Sequence, residues 1–138
     1  MARTVTSVID FDTKHLPPEP DEVAPDGSEV KVLLGVQGGL MAVYELAPGR
    51  ISNAVTNQTI EEIWYFLSGR GLMWRRQDTR EEVVPVDAGI CVTIPLGTHF
   101  QICSLGNEPL VAIGVTIPPW PGKDEQVAVQ GPWQPALT

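Results

Sequence analysis

PGRISNAVTNQTIEEIWYFLSGRG, residues 48–71, opens on a Pro-Gly turn and runs through the polar, β-branched segment 55–60. It then enters the apolar run 63–67 and closes on Ser68-Gly69-Arg70-Gly71, which reads as a hairpin turn. Side chains alternate along a strand, so Glu62, Trp64 and Phe66 share one face while Ile63, Tyr65 and Leu67 share the other. Both faces carry large apolar groups, and both are expected to be buried. Glu62 then points the same way as Trp64 and Phe66. A carboxylate facing a core is costly in its charged form unless it is paired, hydrogen-bonded or bound to a metal.

Outward from this stretch the chain is strand after strand. Segments 30–36, 40–46, 54–60, 62–67, 72–76, 82–86, 90–94, 100–105 and 110–117 are the predicted strands, with Gly or Pro at nearly every junction. No segment has a helical period. This spacing indicates a sandwich or barrel, not a βαβ protein. Residues 1–29 are an acidic, proline-bearing lead, read as an extended N-terminal arm with one short strand over residues 5–9. Residues 119–138 form a tail rich in Pro and Trp, packed on the barrel or on a partner. Apolar anchors in these two ends (Val5, Val8, Ile9, Phe11, Trp120 and Trp133) cannot form a core alone, and a homodimer is expected.

The turns of residues 48–71 resemble the first motif of the cupin family, in which Gly49, Glu62 and Gly69 fall in frame without a gap. Gly89, Pro95 and Gly97 fall on the second motif. The resemblance spans residues 30–118 and implies an all-β fold, a cupin jelly-roll β-barrel of two antiparallel sheets. In metal-binding cupins two histidines and a glutamate of the first motif join a histidine of the second on a transition ion. Carried over, those positions are Val55, Asn57, Glu62 and Phe100, and Ser104 stands where the second motif has asparagine. Valine and phenylalanine ligate nothing, and an amide oxygen is a weak ligand for such an ion. No metal or other cofactor is expected. His99 lies one residue before the ligand position and faces away from Glu62 if the frame has no gap; a β-bulge after Gly97 would turn it inward.

Without an ion, the lumen holds Glu62 beside Asn57, flanked by Val55, Trp64, Phe66, Phe100, Ile102 and Ser104, an apolar cavity with a few polar groups. Buried there, Glu62 is a candidate acid/base, or a satisfied and idle carboxyl. Arg75 and Arg76 are adjacent, so at most one points inward; pairing with Glu81 and Glu82 across a hairpin is expected. Cys91 and Cys103 read as buried free thiols of a cytoplasmic protein. The formal charge of −8 argues against nucleic acid or an anionic membrane as partner, and no apolar run is long enough to span a bilayer.

Three functions fit these residues. The first is a protein that binds a small organic molecule in the lumen, in catalytic form a metal-independent isomerase, cyclase or lyase using Glu62. The second is a metal-dependent oxygenase or hydrolase with an altered ligand set that includes Glu62 and His99. The third is a ligand sensor without catalysis.

Overall fold

The computed structural model describes residues 10–138. The strand expected over residues 5–9 and the anchors Val5, Val8 and Ile9 lie outside the described residues. Strands form where the sequence alternates, and they end at the turn residues. They are β1 (Glu22–Val23), β2 (Glu29–Val36), β3 (Gly39–Leu46), β4 (Val55–Asn57), β5 (Glu61–Ser68) and β6 (Arg70–Gln77). β7 (Arg80–Asp87), β8 (Cys91–Ile94), β9 (His99–Leu105), β10 (Leu110–Ile117) and β11 (Gln126–Ala128) follow. Among the described residues they make two antiparallel sheets, ordered β1-β2-β3-β10-β5-β8 and β11-β4-β9-β6-β7. The fold is the jelly-roll that the motif turns implied. Its core lies between the sheets and includes Leu46, Val55, Trp64, Phe66, Met73, Val86, Phe100, Ile102 and Leu110.

The structure corrects several local expectations. Only one face of β5 is buried: Glu62, Trp64 and Phe66 are nearly sealed, whereas Ile63, Tyr65 and Leu67 are 46%, 47% and 45% exposed. Nothing among the described residues covers that outer row, because β5 belongs to a two-layer sandwich with one inward face per sheet. Ser68-Gly69 is not a hairpin turn either. β5 pairs with β10 and β8, while β6 pairs with β7 and β9, so the link is a corner between the sheets. Gly69 makes that corner at φ 78° against the backbone of Pro109, where no side chain fits.

The strand expected over residues 54–60 stops at Asn57, because Gln58, Thr59 and Ile60 donate their N–H groups to Glu125 instead of to a neighbouring strand. Cys91 is exposed on the outward side of the edge strand β8, while Cys103 is buried. Part of the segment read as an extended lead folds back: β1 pairs with β2 around Asp26-Gly27, and the Asp26 carboxylate accepts the Ser28 N–H and hydroxyl. Phe11 is fully exposed. At the other end, β11 extends the second sheet, and Trp133 is held over β9 by Gln101, which donates to the Ser52 and Trp133 carbonyls. Among the described residues no helix is long and apolar enough to cross a membrane.

Candidate functional site in the barrel lumen

Alternation along β5 delivers Glu62 to the space between the sheets, and its surroundings fix the carboxyl there. Oε2 accepts the Asn57 amide N–H at 2.8 Å, and Oε1 accepts the Trp64 indole N–H at 2.9 Å. The Tyr44 hydroxyl reaches Oε1 at 3.5 Å, a weak third donor. Glu62 is 4% exposed. Burial raises its pKa; the Trp64 and Asn57 hydrogen bonds pull the other way, and the nearby Asp26 charge adds to the rise. Burial also raises the pKa of Asp26, against the donors of Ser28. The Tyr44 phenol is pushed well above its ordinary value by burial first, then by the charges of Glu62 and Asp26.

Gly114 on β10 makes room for the site. A Cβ there would lie 2.7 Å from both the Trp64 and the Tyr44 rings, which instead meet with centroids 5.0 Å apart. Trp64 in turn sits edge-on to Phe100, at 5.9 Å. The ring pair forms one wall of a narrow recess with a cavity volume of about 30 Å³. Glu62, Asp26, Ser28 and Thr116 line it beside Val30, Val32 and Ala42, and Trp120 and Gln126 of the tail complete it. Thr116 is paired with Glu62 across β10 and β5, and Gln126 with Asn57 across β11 and β4. The Thr116 hydroxyl, the Gln126 Oε1 and the Asn57 Oδ1 are all buried without a hydrogen-bond partner among the described residues. Such groups normally find one.

The residues expected in the lumen are mostly inside, but they do not form one site. Val55, Asn57, Glu62, Trp64, Phe66, Phe100, Ile102 and Ser104 are all buried. Of these, only Glu62 and Trp64 line the recess, with Asn57 behind Glu62. Phe66 and Ile102 border a separate, smaller apolar space beside Leu46 and Leu110, and Val55 and Phe100 are cross-strand core partners. Ser104 lies at the far end, opposite Gly71. His99 is half-buried on the opposite face of β9 from Phe100, between Thr56 and Arg76. No bulge turns it inward. Arg75 pairs with Glu82 at 3.1 Å, but Glu81 accepts the Trp74 indole instead of an arginine.

Sequence reasoning read Trp120 as an anchor of the tail but did not place Asp26, Tyr44, Thr116 or Gln126 in the site. For Tyr44 and Thr116 the inward alternation of β3 and β10 carried a signal. Asp26 and Gln126 stand outside the span of the motifs, and local sequence gave no sign of where they would pack.

The positions used for a transition metal in this fold family do not fit one here. Val55 and Phe100 fill two of them with buried hydrocarbon, and the Asn57 amide turns its N–H to Glu62. Among the described residues no three His, Cys, Asp or Glu side chains cluster to hold a metal ion.

A six-stranded and a five-stranded antiparallel sheet folded over these motif turns give the chain the cupin fold, that of a small cupin domain. Its relative, uncharacterized protein MJ1618 of Methanocaldococcus jannaschii, is 31% identical over 124 residues, covering 83% of this chain and 95% of that protein. No protein-family model matches the chain. Among solved structures, Streptomyces PAC13, determined with uridine, is similar with a TM-score of 0.67 and 16% identity over 87% of this chain and 92% of that one. Bacillus subtilis oxalate decarboxylase, studied for its Mn(II) centres, aligns with a TM-score of 0.63 and 18% identity. That match covers 89% of this chain and 35% of the decarboxylase. The cupin domain of Schizosaccharomyces pombe Cnp3 aligns at 0.59 with 12% identity, over 66% of this chain and 64% of that one. At these identities the structural likenesses establish the fold alone.

Proposed function

We propose that this cupin binds a small organic molecule in the recess and acts on it without a metal, with Glu62 as the acid/base of an isomerase, cyclase or lyase. One observation carries this reading. Glu62 is a buried carboxyl with a raised pKa, fixed by Asn57 and Trp64, in a recess where the Thr116 and Gln126 side-chain oxygens lack partners among the described residues. A carboxyl whose pKa burial raises holds a proton more readily than a free glutamate, as an acid/base requires. The donors on both oxygens hold its orientation, which lowers the cost of aligning it with a substrate. That a similar fold, Streptomyces PAC13, was solved with uridine supports an organic occupant for such a barrel. The proposal includes a homodimer as the working form, and light scattering tests it: a mass near 15.0 kDa would exclude a stable dimer.

A screen of small metabolites against the full chain tests the site, read by the indole N–H resonances of Trp64 and Trp120 together with turnover. At least one compound class is expected to move both resonances and to be converted, with conversion lost in Glu62→Gln. Binding that leaves both indoles unmoved would overturn the site. Binding at the recess with no conversion of any ligand would leave a sensor in place of an enzyme.

A further inference from the structure

The ionisable side chains that line the recess are all acidic. Glu22, Asp26 and Glu62 line it, and among the described residues no Lys, Arg or His does. Asp26 and Glu62 are 2% and 4% exposed. Neither forms an ion pair with a cation among the described residues. Acidic neighbours alone would not define a ligand, but two further features do. Thr116 lines the same recess and is 2% exposed, and among the described residues neither its hydroxyl nor the buried Oε1 of Gln126, which also lines the recess, has a hydrogen-bond partner. An amide oxygen can only accept, so it calls for a donor from the ligand. The Tyr44 and Trp64 rings, 5.0 Å apart, form an aromatic wall next to the carboxylates. Aromatic faces attract cations.

Resting on the reading of the recess as a ligand site, we infer that its ligand is a small organic cation. It is a primary or secondary ammonium that donates to Thr116 and Gln126, lies against Tyr44 and Trp64, and is neutralised by Asp26 and Glu62. Carboxylates and phosphates are excluded as the buried end of a ligand, since they would meet three acidic side chains and no cation. A bare hard cation is a poorer match. The Glu62 oxygens already face the Asn57, Trp64 and Tyr44 donors, and much of the remaining wall is hydrocarbon. An ammonium with a short apolar body satisfies the donors, the charge and the wall together.

Three probes of equal length separate the possibilities: n-butylammonium, 1-butanol and butanoate, each titrated into the full-length protein while its indole N–H resonances are followed. Butylammonium is expected to move Trp64 and Trp120 saturably and to bind about tenfold tighter than 1-butanol, with butanoate inert. Trp74 and Trp133, outside the recess, serve as controls. Asp26→Asn, which keeps an oxygen for the Ser28 donors, and Thr116→Val should each weaken butylammonium several-fold and leave 1-butanol unchanged. A merely structural loss would affect both probes alike, and circular dichroism checks the fold. Equal or tighter binding of 1-butanol or butanoate at Trp64 would overturn the cation and leave the ligand site standing. Silence from all three probes would overturn both. Calcium moving the same resonances and displacing butylammonium would replace the organic cation with an ion, and undiminished butylammonium binding in both variants would also end the inference.

Discussion

The central strands and the two ends of the chain contribute to the lumen in different ways. β4, β5 and β9, which carry the turns and positions that resemble the cupin motifs, supply mostly hydrocarbon: Val55, Trp64, Phe66, Phe100 and Ile102, with Glu62, Asn57 and Ser104 as the polar exceptions. The ends supply much of the polar lining. Asp26 and Ser28 arrive on the β1–β2 hairpin, and Gln126 and Trp120 arrive from the tail. The motif region builds a rigid barrel and places one carboxyl in it, and the ends determine what that carboxyl faces. Residues at chain termini are commonly expendable. Here β1 and β11 are tied into the two sheets.

The largest test of that contrast is removal of the tail. Ending the chain after Pro118 deletes β11, Glu125 and the Trp133–Gln101 link. It is expected to cost several kcal/mol, a large part of the ~5–15 kcal/mol typical of a domain. Urea unfolding within about 1 kcal/mol of the full chain would show that the tail is decoration. Next in size is Gly114→Val on the barrel side. The new side chain collides with Trp64 and Tyr44, and a loss of about 1–3 kcal/mol is expected from overpacking, together with a changed Trp64 environment. Unaltered stability would mean that the two rings are not locked over β10.

Glu125→Gln probes how the tail grips the loop after β4. Burial raises the Glu125 pKa, but the Thr59 hydroxyl and the N–H groups of Thr59 and Ile60 outweigh it and bring the net value below the usual range. A depressed carboxyl stabilises the fold above its unfolded pKa, and that contribution is lost as pH falls through the folded value. The variant should be weaker by about 1–2 kcal/mol at neutral pH, as for lost charge-assisted hydrogen bonds, with the gap closing in acid. A gap that does not depend on pH would contradict an ionised Glu125.

Glu62→Gln should have the smallest effect on stability and the opposite sign. Its raised pKa makes the contribution of Glu62 greatest below the ordinary glutamate value, and it is lost as pH rises through the folded value. The glutamine keeps an oxygen for Trp64, and its new N–H can meet Asn57 Oδ1 if that amide turns over, so no donor need be stranded. Thermal unfolding at about pH 8 should find the variant equal to wild type or slightly above it, with the difference fading in acid, and chelator should change neither. A large loss at about pH 8 would mean that the carboxylate is ionised and tightly held. A loss in wild type reproduced by chelator would mean that it holds a metal.

The frame Gly49, Glu62, Gly69 and the turn residues Gly89, Pro95 and Gly97 were enough to place nine strands and the barrel, because turn chemistry and alternation act over a few residues. The same alternation put Glu62, Trp64, Phe66, Phe100, Ile102 and Ser104 inside and His99 outside. It could not say which of them share a cavity. Phe66 and Ser104 face inward as Glu62 does, yet they lie further along the barrel, since position along it depends on register between strands distant in sequence. The exposed row Ile63, Tyr65 and Leu67 was misread for a related reason. An apolar residue on a strand shows that a face tolerates burial, but whether another layer covers it depends on the rest of the fold.

By itself, then, the sequence determined the jelly-roll, the inward carboxyl of Glu62 and the lack of a standard metal-ligand set at Val55, Asn57 and Phe100, all of which rest on local spacing. Only the tertiary structure decided that Asp26 and Gln126, a hundred positions apart in the chain, would line one recess with Glu62. Their chemistry was visible in the sequence, but their meeting depends on β1 and β11 docking at the edges of different sheets, and edge pairing is set by hydrogen bonds that no short stretch encodes.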